Sequence, residues 1–397
     1  MADFGVLAAS GGAEAVGRLD AADRRVMSLL AAGDGLDRSA VMLVKYSEPS
    51  MRALAVPVTD SGRLTGALTG AGWESTRDGL SEVYSLPGES YRMVCDGPLM
   101  WVVSASTDER AVNLVKALRG RGGDAPAWLA DSIAAAGASV YMSVAAADSS
   151  CYLCTLTLDG TRGSIAVSRA ASGDGRMLNL IPGAPYHGPG SVLAAVDTTA
   201  TVALAMALPP SFDIAGAVDR ATGGMYLDPA VGRAIADLDG RLALSVDFGG
   251  TSLTDPASWR AAIALGTASG RSGAVVGAVA DMLAAVGVPL TRSGAAFSLG
   301  AGGNAMLSGG VRDSSTVMVS TPGYPAAALV ADRWAVPGRL RAVAPAGSPL
   351  ASLAGLDGCG LRVDAMVVMS RAEIEIDFTG SRKGFVANVL DVLHAID

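Results

Sequence analysis

The apolar positions of this chain change period several times, and the order of those changes occurs twice. Arg52-Ala53-Leu54-Ala55-Val56 alternates as a strand does. A Ser61-Gly62 turn follows, then Leu64, Ala67, Leu68 and Ala71 at helical spacing, and Trp73 opens a new extended run. Much later Arg260-Ala261-Ala262-Ile263-Ala264-Leu265 reads as a strand. Ser272-Gly273 and a helix with Val275, Val276, Val279, Met282, Leu283 and Val286 on one stripe come after it. Gly287 is a credible stop for that helix, and Pro289 cannot continue it.

The echo continues downstream. Tyr91 to Ser104 predicts a strand pair turning at Asp96-Gly97-Pro98, and Ala305 to Ser320 predicts another turning near Gly309 to Ser314. Leu158-Asp159-Gly160-Thr161-Arg162-Gly163 is similar to Phe378-Thr379-Gly380-Ser381-Arg382-Lys383, and Phe4 to Ala9 corresponds more loosely to Val202 to Met206. The offset between copies drifts from roughly 200 to 220 residues, as small loop insertions would make it. Such long copies are domain-sized units, not a solenoid, whose repeats run about 20 to 50 residues.

The remaining elements complete an α+β chain. Ala22 to Ala32 predicts a helix and Val41 to Tyr46 a strand. Ser106 to Arg119 predicts a helix with Ala111, Val112, Val115 and Leu118 inward and a Ser106–Glu109 capping box. Ala127 to Ala136 predicts another helix, followed by strands at Val140 to Val144, Tyr152 to Leu158 and Ser164 to Ser168. The proline- and glycine-rich run Ile181 to Gly190 reads as a linker. The end of the chain predicts strands at Arg362 to Met369 and Glu373 to Asp377, then a helix from Val386 to Ala395. The expected architecture is two tandem similar domains, residues 1–185 and 186–397. Each is a mainly antiparallel sheet with helices packed on one face.

Composition narrows the function classes. With 397 residues, 50% hydrophobic and 17% charged, the chain can bury two ordinary cores. The net charge is −8, the only lysines are Lys45, Lys116 and Lys383, and aromatic residues are scarce. That surface argues against nucleic acid, which needs basic patches and stacking platforms. The most apolar stretch, Ser191 to Leu208, is broken by Asp197 and three threonines and does not predict a membrane span.

Candidate chemistry is sparse. There is no phosphate-loop or nucleophile-elbow motif. Gly300-Ala301-Gly302-Gly303-Asn304-Ala305 imitates a dinucleotide loop, but the residues after it predict a hairpin where that loop needs a helix. Cys151 and Cys154 lie in alternating sequence, so they predict two strand cysteines on opposite faces, unlinked, with Cys154 the buried one beside Leu156 and Leu158. A redox pair would instead sit at a helix N-terminus. Glu373, Glu375 and Asp377 project from one strand face and read as its wet side, with Ile374 and Ile376 on the other; a hard-cation site is the alternative. His187 and His394 are the only histidines. His187, beside Tyr186 in the linker, is the residue a hydrolase-type enzyme would have to use in an interdomain cleft. Tyr186 and His187 are therefore the weak ligand-binding candidates, and no catalytic, cofactor or metal residues are assigned.

Two stretches carry a family resemblance. Ala200-Thr201-Val202-Ala203-Leu204-Ala205-Met206, and Ile235-Ala236-Asp237-Leu238-Asp239-Gly240-Arg241-Leu242-Ala243-Leu244-Ser245-Val246, resemble the opening strand and the helix-to-strand passage of a family of duplicated α+β proteins of unknown function from Bacteroidetes. Members of that family look like envelope lipoproteins. The resemblance implies a non-catalytic envelope protein, anchored by lipid, with no cofactor, binding a protein or small-molecule partner near the junction of its repeats. A cytoplasmic location and a structural assembly subunit are the competing expectations.

Overall fold

The computed structural model describes residues 34–37, 41–47, 50–79, 81–121, 140–145, 149–171, 176–180, 188–208, 212–221, 229–248, 258–285, 287–301, 304–324, 334–356 and 358–396. The helices expected at 22–32 and 127–136, the strand at 4–9, and most of the 181–190 linker lie outside them. The chain divides into two compact units. One holds Met1–Ile165, Ala170–Arg176 and Arg382–Leu393; the other holds Ala166–Arg169, Met177–Ser381 and His394–Asp397.

The first unit contains β1 (Met42–Ser47), β2 (Ser50–Pro57), α1 (Ser61–Gly70), β3 (Glu74–Asp78), β4 (Ser81–Ser85), β5 (Tyr91–Asp96), β6 (Leu99–Ser104) and α2 (Asp108–Arg121). Strands β7 (Val140–Ala145) and β8 (Ser150–Asp159) follow, then β9 (Arg162–Ala171), which runs from this unit into the other. The first six strands form one antiparallel sheet in the order β1-β2-β6-β5-β4-β3. Gly97, at φ 61, makes the tight turn between β5 and β6 that the sequence predicts.

This sheet is apolar on both faces, because the central strand β6 is a continuous apolar run. Leu64 and Leu68 of α1 pack with Val56, Tyr84, Met93 and Met100 on one side. Ala111, Val112, Val115 and Leu118 of α2 pack with Ala53, Ala55, Trp101 and Val103 on the other. The expectation of helices on one face is therefore corrected: β2 alternates Ala53 and Ala55 with Leu54 and Val56, and a helix covers each parity.

Local chemistry sets the helix ends. The predicted Ser61-Gly62 turn is the first turn of α1, capped by Asp60, which accepts from Arg63 N–H at 3.0 Å. The cap of α2 is Thr107, not Ser106: its hydroxyl accepts from Arg110 N–H at 3.3 Å. The Ser106 carbonyl instead accepts from the guanidinium of Arg92.

The second unit holds β10 (Met177–Leu178), a 3-10 helix (Gly190–Ala195), β11 (Val202–Ala207), α3 (Ile214–Ala221), α4 (Pro229–Ala236), β12 (Leu238–Asp247), β13 (Arg260–Thr267) and α5 (Ser272–Ala285). It continues with β14 (Leu290–Ser293), β15 (Ala296–Ala301), β16 (Asn304–Asp313), β17 (Thr316–Ser320), β18 (Gly338–Ala344), α6 (Pro349–Leu353), β19 (Gly360–Val368) and β20 (Arg371–Thr379). Helix α7 (Phe385–Ile396) follows, and its residues up to Leu393 belong to the first unit. Within this unit the strands from β11 onward lie in the order β14-β15-β16-β17-β13-β12-β11-β18-β19-β20. Within it, β12-β13-β17-β16-β15-β14 repeats the order β1-β2-β6-β5-β4-β3, each with a helix after its second strand. Tyr84, opposite Met93, and Phe297, opposite Gly309, hold the same place beneath that helix.

Three local expectations change. The β16–β17 turn is at Ser314-Ser315; Gly309 and Gly310 lie inside β16, where Gly309 makes room for the Phe297 ring. Asp159-Gly160 turns β8 into β9, whereas Thr379-Gly380 leads from β20 to α7, so the two similar runs sit at different steps of the topology. On β8 the buried residues are Ser150 and Leu153, at 2% and 5% exposure; Cys151 and Cys154, neither of them in a disulfide, are half-buried on opposite faces.

Candidate functional site

The sheet of the second unit has two unlike faces, because β11, β12 and β13 alternate alanine with larger aliphatics. Ala203, Ala205, Ala243, Ala262 and Ala264 line one face and are at most 2% exposed. Their small side chains let backbone approach closely. Val192 and Ala195 of the 3-10 helix, with the fully buried Trp334, cover them. Tyr324 ties this cover down by donating to the Ala195 carbonyl at 2.5 Å. Burial of the Tyr324 hydroxyl raises its pKa above the ordinary phenol range.

The larger side chains point the other way and are left half-exposed. Strand registers across β12, β11, β18, β19 and β20 align them in three rows. One row is Leu244, Leu204, Leu340, Ala365 and Ile374. A second is Val246, Val202, Ala342, Val363 and Ile376. The third is Leu242, Met206, Gly338, Val367 and Ala372. None of these positions is fully buried, and Ile374 is 37% exposed. The rows contain no charged, hydrogen-bonding or aromatic side chain. A globular sheet ordinarily buries its large aliphatics and exposes smaller or polar residues; here the assignment is reversed.

Beside Trp334 the alanine-lined face becomes ionic. The Arg339 guanidinium lies over the Trp334 ring, 5.5 Å from its centroid, and its Nη2 is 3.7 Å from Asp364 Oδ1. Arg362 donates from Nε to Asp364 Oδ2 at 2.6 Å, and that bond, reinforced by Glu375 and Asp377, raises its pKa further. Arg341 donates to the Thr198 carbonyl at 3.3 Å. Asp364 thus faces two guanidiniums: it accepts a hydrogen bond from Arg362 of its own strand and lies at ion-pair distance from Arg339 of β18.

The residues singled out from sequence are scattered. Tyr186 and His187 lie outside the described residues. His394 sits in α7. The acidic strand β20 is not simply wet on its carboxylate side: Asp377 is 8% exposed opposite Arg362, while Ile374 is exposed as part of the aliphatic rows. Gly300 to Ala305 forms the β15–β16 hairpin, with Ala301 opposite Asn304. Among the described residues no group of three His, Cys, Asp or Glu could hold a metal ion, and no helix is long and apolar enough to cross a membrane. Burial raises the Cys154 thiol pKa, with the neighbouring Cys151 adding to it.

The aliphatic rows were not identified from sequence. A signal was present: Val202-Ala203-Leu204-Ala205-Met206 alternates large with small rather than apolar with polar, which makes both faces of the strand apolar. Comparison of the chain with protein-family models, curated proteins and solved structures finds no match.

Proposed function

We propose that this is a non-catalytic binding protein built from two copies of one α+β module, and that the aliphatic face of the second unit's sheet binds an elongated apolar ligand. The observation that carries the binding reading is the reversal of the two faces: alanine is buried while Leu204, Leu244, Leu340 and Val363 stay half-exposed. Burying each methylene of a ligand against such a surface gains about 0.8 kcal/mol. The rows lack the Trp, Tyr and Arg anchors that concentrate energy in protein interfaces, so a flexible hydrocarbon chain fits them better than a folded partner. The two-copy reading is supported by the strand order shared by β1–β6 and β12–β17. An exported, lipid-anchored location is part of the proposal and rests on the family resemblance; fractionation of native cells tests it.

The binding test uses a fluorescent fatty acid titrated into the full chain, with Leu340→Gln and Val363→Thr as variants. Saturable binding is expected, weakened at least about tenfold in the variants, with thermal unfolding shifted little because both sites are half-exposed. No saturable binding, or binding indifferent to both substitutions, would sink the proposal.

A further inference from the structure

We infer that the alanine-lined face of the second unit's sheet carries a site for a small carboxylate, in which Arg341 supplies the charge and the Trp334 indole N–H a second hydrogen bond. The site lies on the face opposite the aliphatic rows, so it stands or falls independently of the apolar ligand proposed there.

Strand register sets the place. On β18, Arg339 and Arg341 project to this face, opposite Ala205 and Ala203 of β11 and opposite Met366 and Asp364 of β19. The two alanines end at Cβ, and Trp334 packs on them. The Arg339 guanidinium lies over the indole ring, so Trp334 and the arginine pair share one patch.

The charges of that patch do not balance locally at Arg341. Asp364 stands directly across from Arg341 in the register, yet it accepts from Arg362 and lies at ion-pair distance from Arg339. Among the described residues Arg341 has one hydrogen-bond acceptor, the Thr198 carbonyl, and no carboxylate at ion-pair distance. Its Nε is buried and has no acceptor. The Trp334 side chain is fully buried, and its Nε1 has no acceptor either. A half-buried cation without a counter-ion and a buried N–H without an acceptor each cost free energy. One ligand removes both costs: an anion with two acceptor oxygens, which a carboxylate supplies. A single negative charge matches a single guanidinium. A dianion would be repelled by Asp364 and by Glu375, its cross-strand partner on β20.

Thermal unfolding of the full chain in sodium acetate, against sodium chloride at the same pH and ionic strength, tests this. Acetate should raise the melting temperature saturably above the chloride value, by about 2–4 °C at about tenfold its half-saturating concentration. Arg341→Gln removes the charge, and Trp334→Phe keeps a ring but removes the N–H. Each should raise the half-saturating acetate concentration at least about tenfold, and either variant alone decides if the other does not fold. Equal melting temperatures in acetate and chloride, or an acetate shift that survives in the variants, would overturn the site. A larger shift with phosphate than with acetate would overturn its assignment to a monocarboxylate.

Discussion

Replacing Gly309 with alanine should loosen the packing of α5 on the sheet, and the geometry sets how much. Gly309 on β16 lies directly opposite Phe297 on β15, and the ring extends across the space a side chain would occupy. A Cβ there would stand 2.6 Å from Phe297 Cε1 and 3.0 Å from Cε2, and closer still to Cζ. Carbon atoms pack at about 3.5–4.0 Å, so the ring must retreat by about 1 Å. It has little freedom to do so: it is 4% exposed and held by Val275, Val276 and Ala280 of α5 and by Val317. Overpacking of this kind costs about 1–3 kcal/mol. Gly309 is not at positive φ, so alanine suits its backbone and returns about 0.5–1 kcal/mol. The expected net loss is about 1–2 kcal/mol, read as a lower urea midpoint at unchanged slope. Phe297→Leu removes the obstructing atoms. In that background Gly309→Ala should be neutral or stabilising, giving a coupling of about 1–2 kcal/mol in the double-mutant cycle. A Gly309→Ala protein as stable as the parent, with Phe297 intact, would refute the reasoning.

Other expectations follow from single contacts. Thr107→Ala should cost about 1 kcal/mol by uncapping α2, while Ser106→Ala, whose carbonyl alone is used, should cost little; urea unfolding of the pair distinguishes them. Trp334→Ala should cost about 3–5 kcal/mol because the fully buried indole covers the alanine-lined strands, and a smaller change in the melting temperature than that implies would show that the cover is dispensable. Burial, and secondarily Glu82, pushes the Cys95 thiol from 9.0 up to about 12. The unfolded chain therefore releases this proton first as pH rises, so stability should fall between about pH 9 and pH 12, by up to about 1.4 kcal/mol per pH unit. Cys95→Ala should flatten that part of the pH profile of the urea midpoint; an unchanged profile would contradict it.

Much of the secondary structure was legible because alternation and helical spacing are local. Leu64 and Leu68 of α1, Val112 and Val115 of α2, and the Asp96-Gly97-Pro98 turn can be read without knowing what they touch. Helix ends were less legible. Ser106 and Thr107 are both competent caps, and the choice depends on Arg92, fourteen residues upstream, taking the Ser106 carbonyl. Gly309 and Gly310 looked like a turn because glycine usually marks one, yet Phe297 makes them strand residues, and that contact is not local. The aliphatic rows escaped notice for a related reason. Sequence shows that both parities of β11 are apolar, but not which one the 3-10 helix and Trp334 will cover.

Taken alone, the sequence determined that this is an α+β chain of short strands and where its clearest helices and turns fall. Those features depend on neighbours a few residues apart. Tertiary structure decided the rest: that β6 lies beside β2, that β11 is inserted between β12 and β18, that helices cover both faces of the first sheet, and that alanine rather than leucine is buried in the second. Strand pairing joins segments far apart in sequence, and a face becomes core only when something else packs on it. Periodicity within a strand carries no record of either.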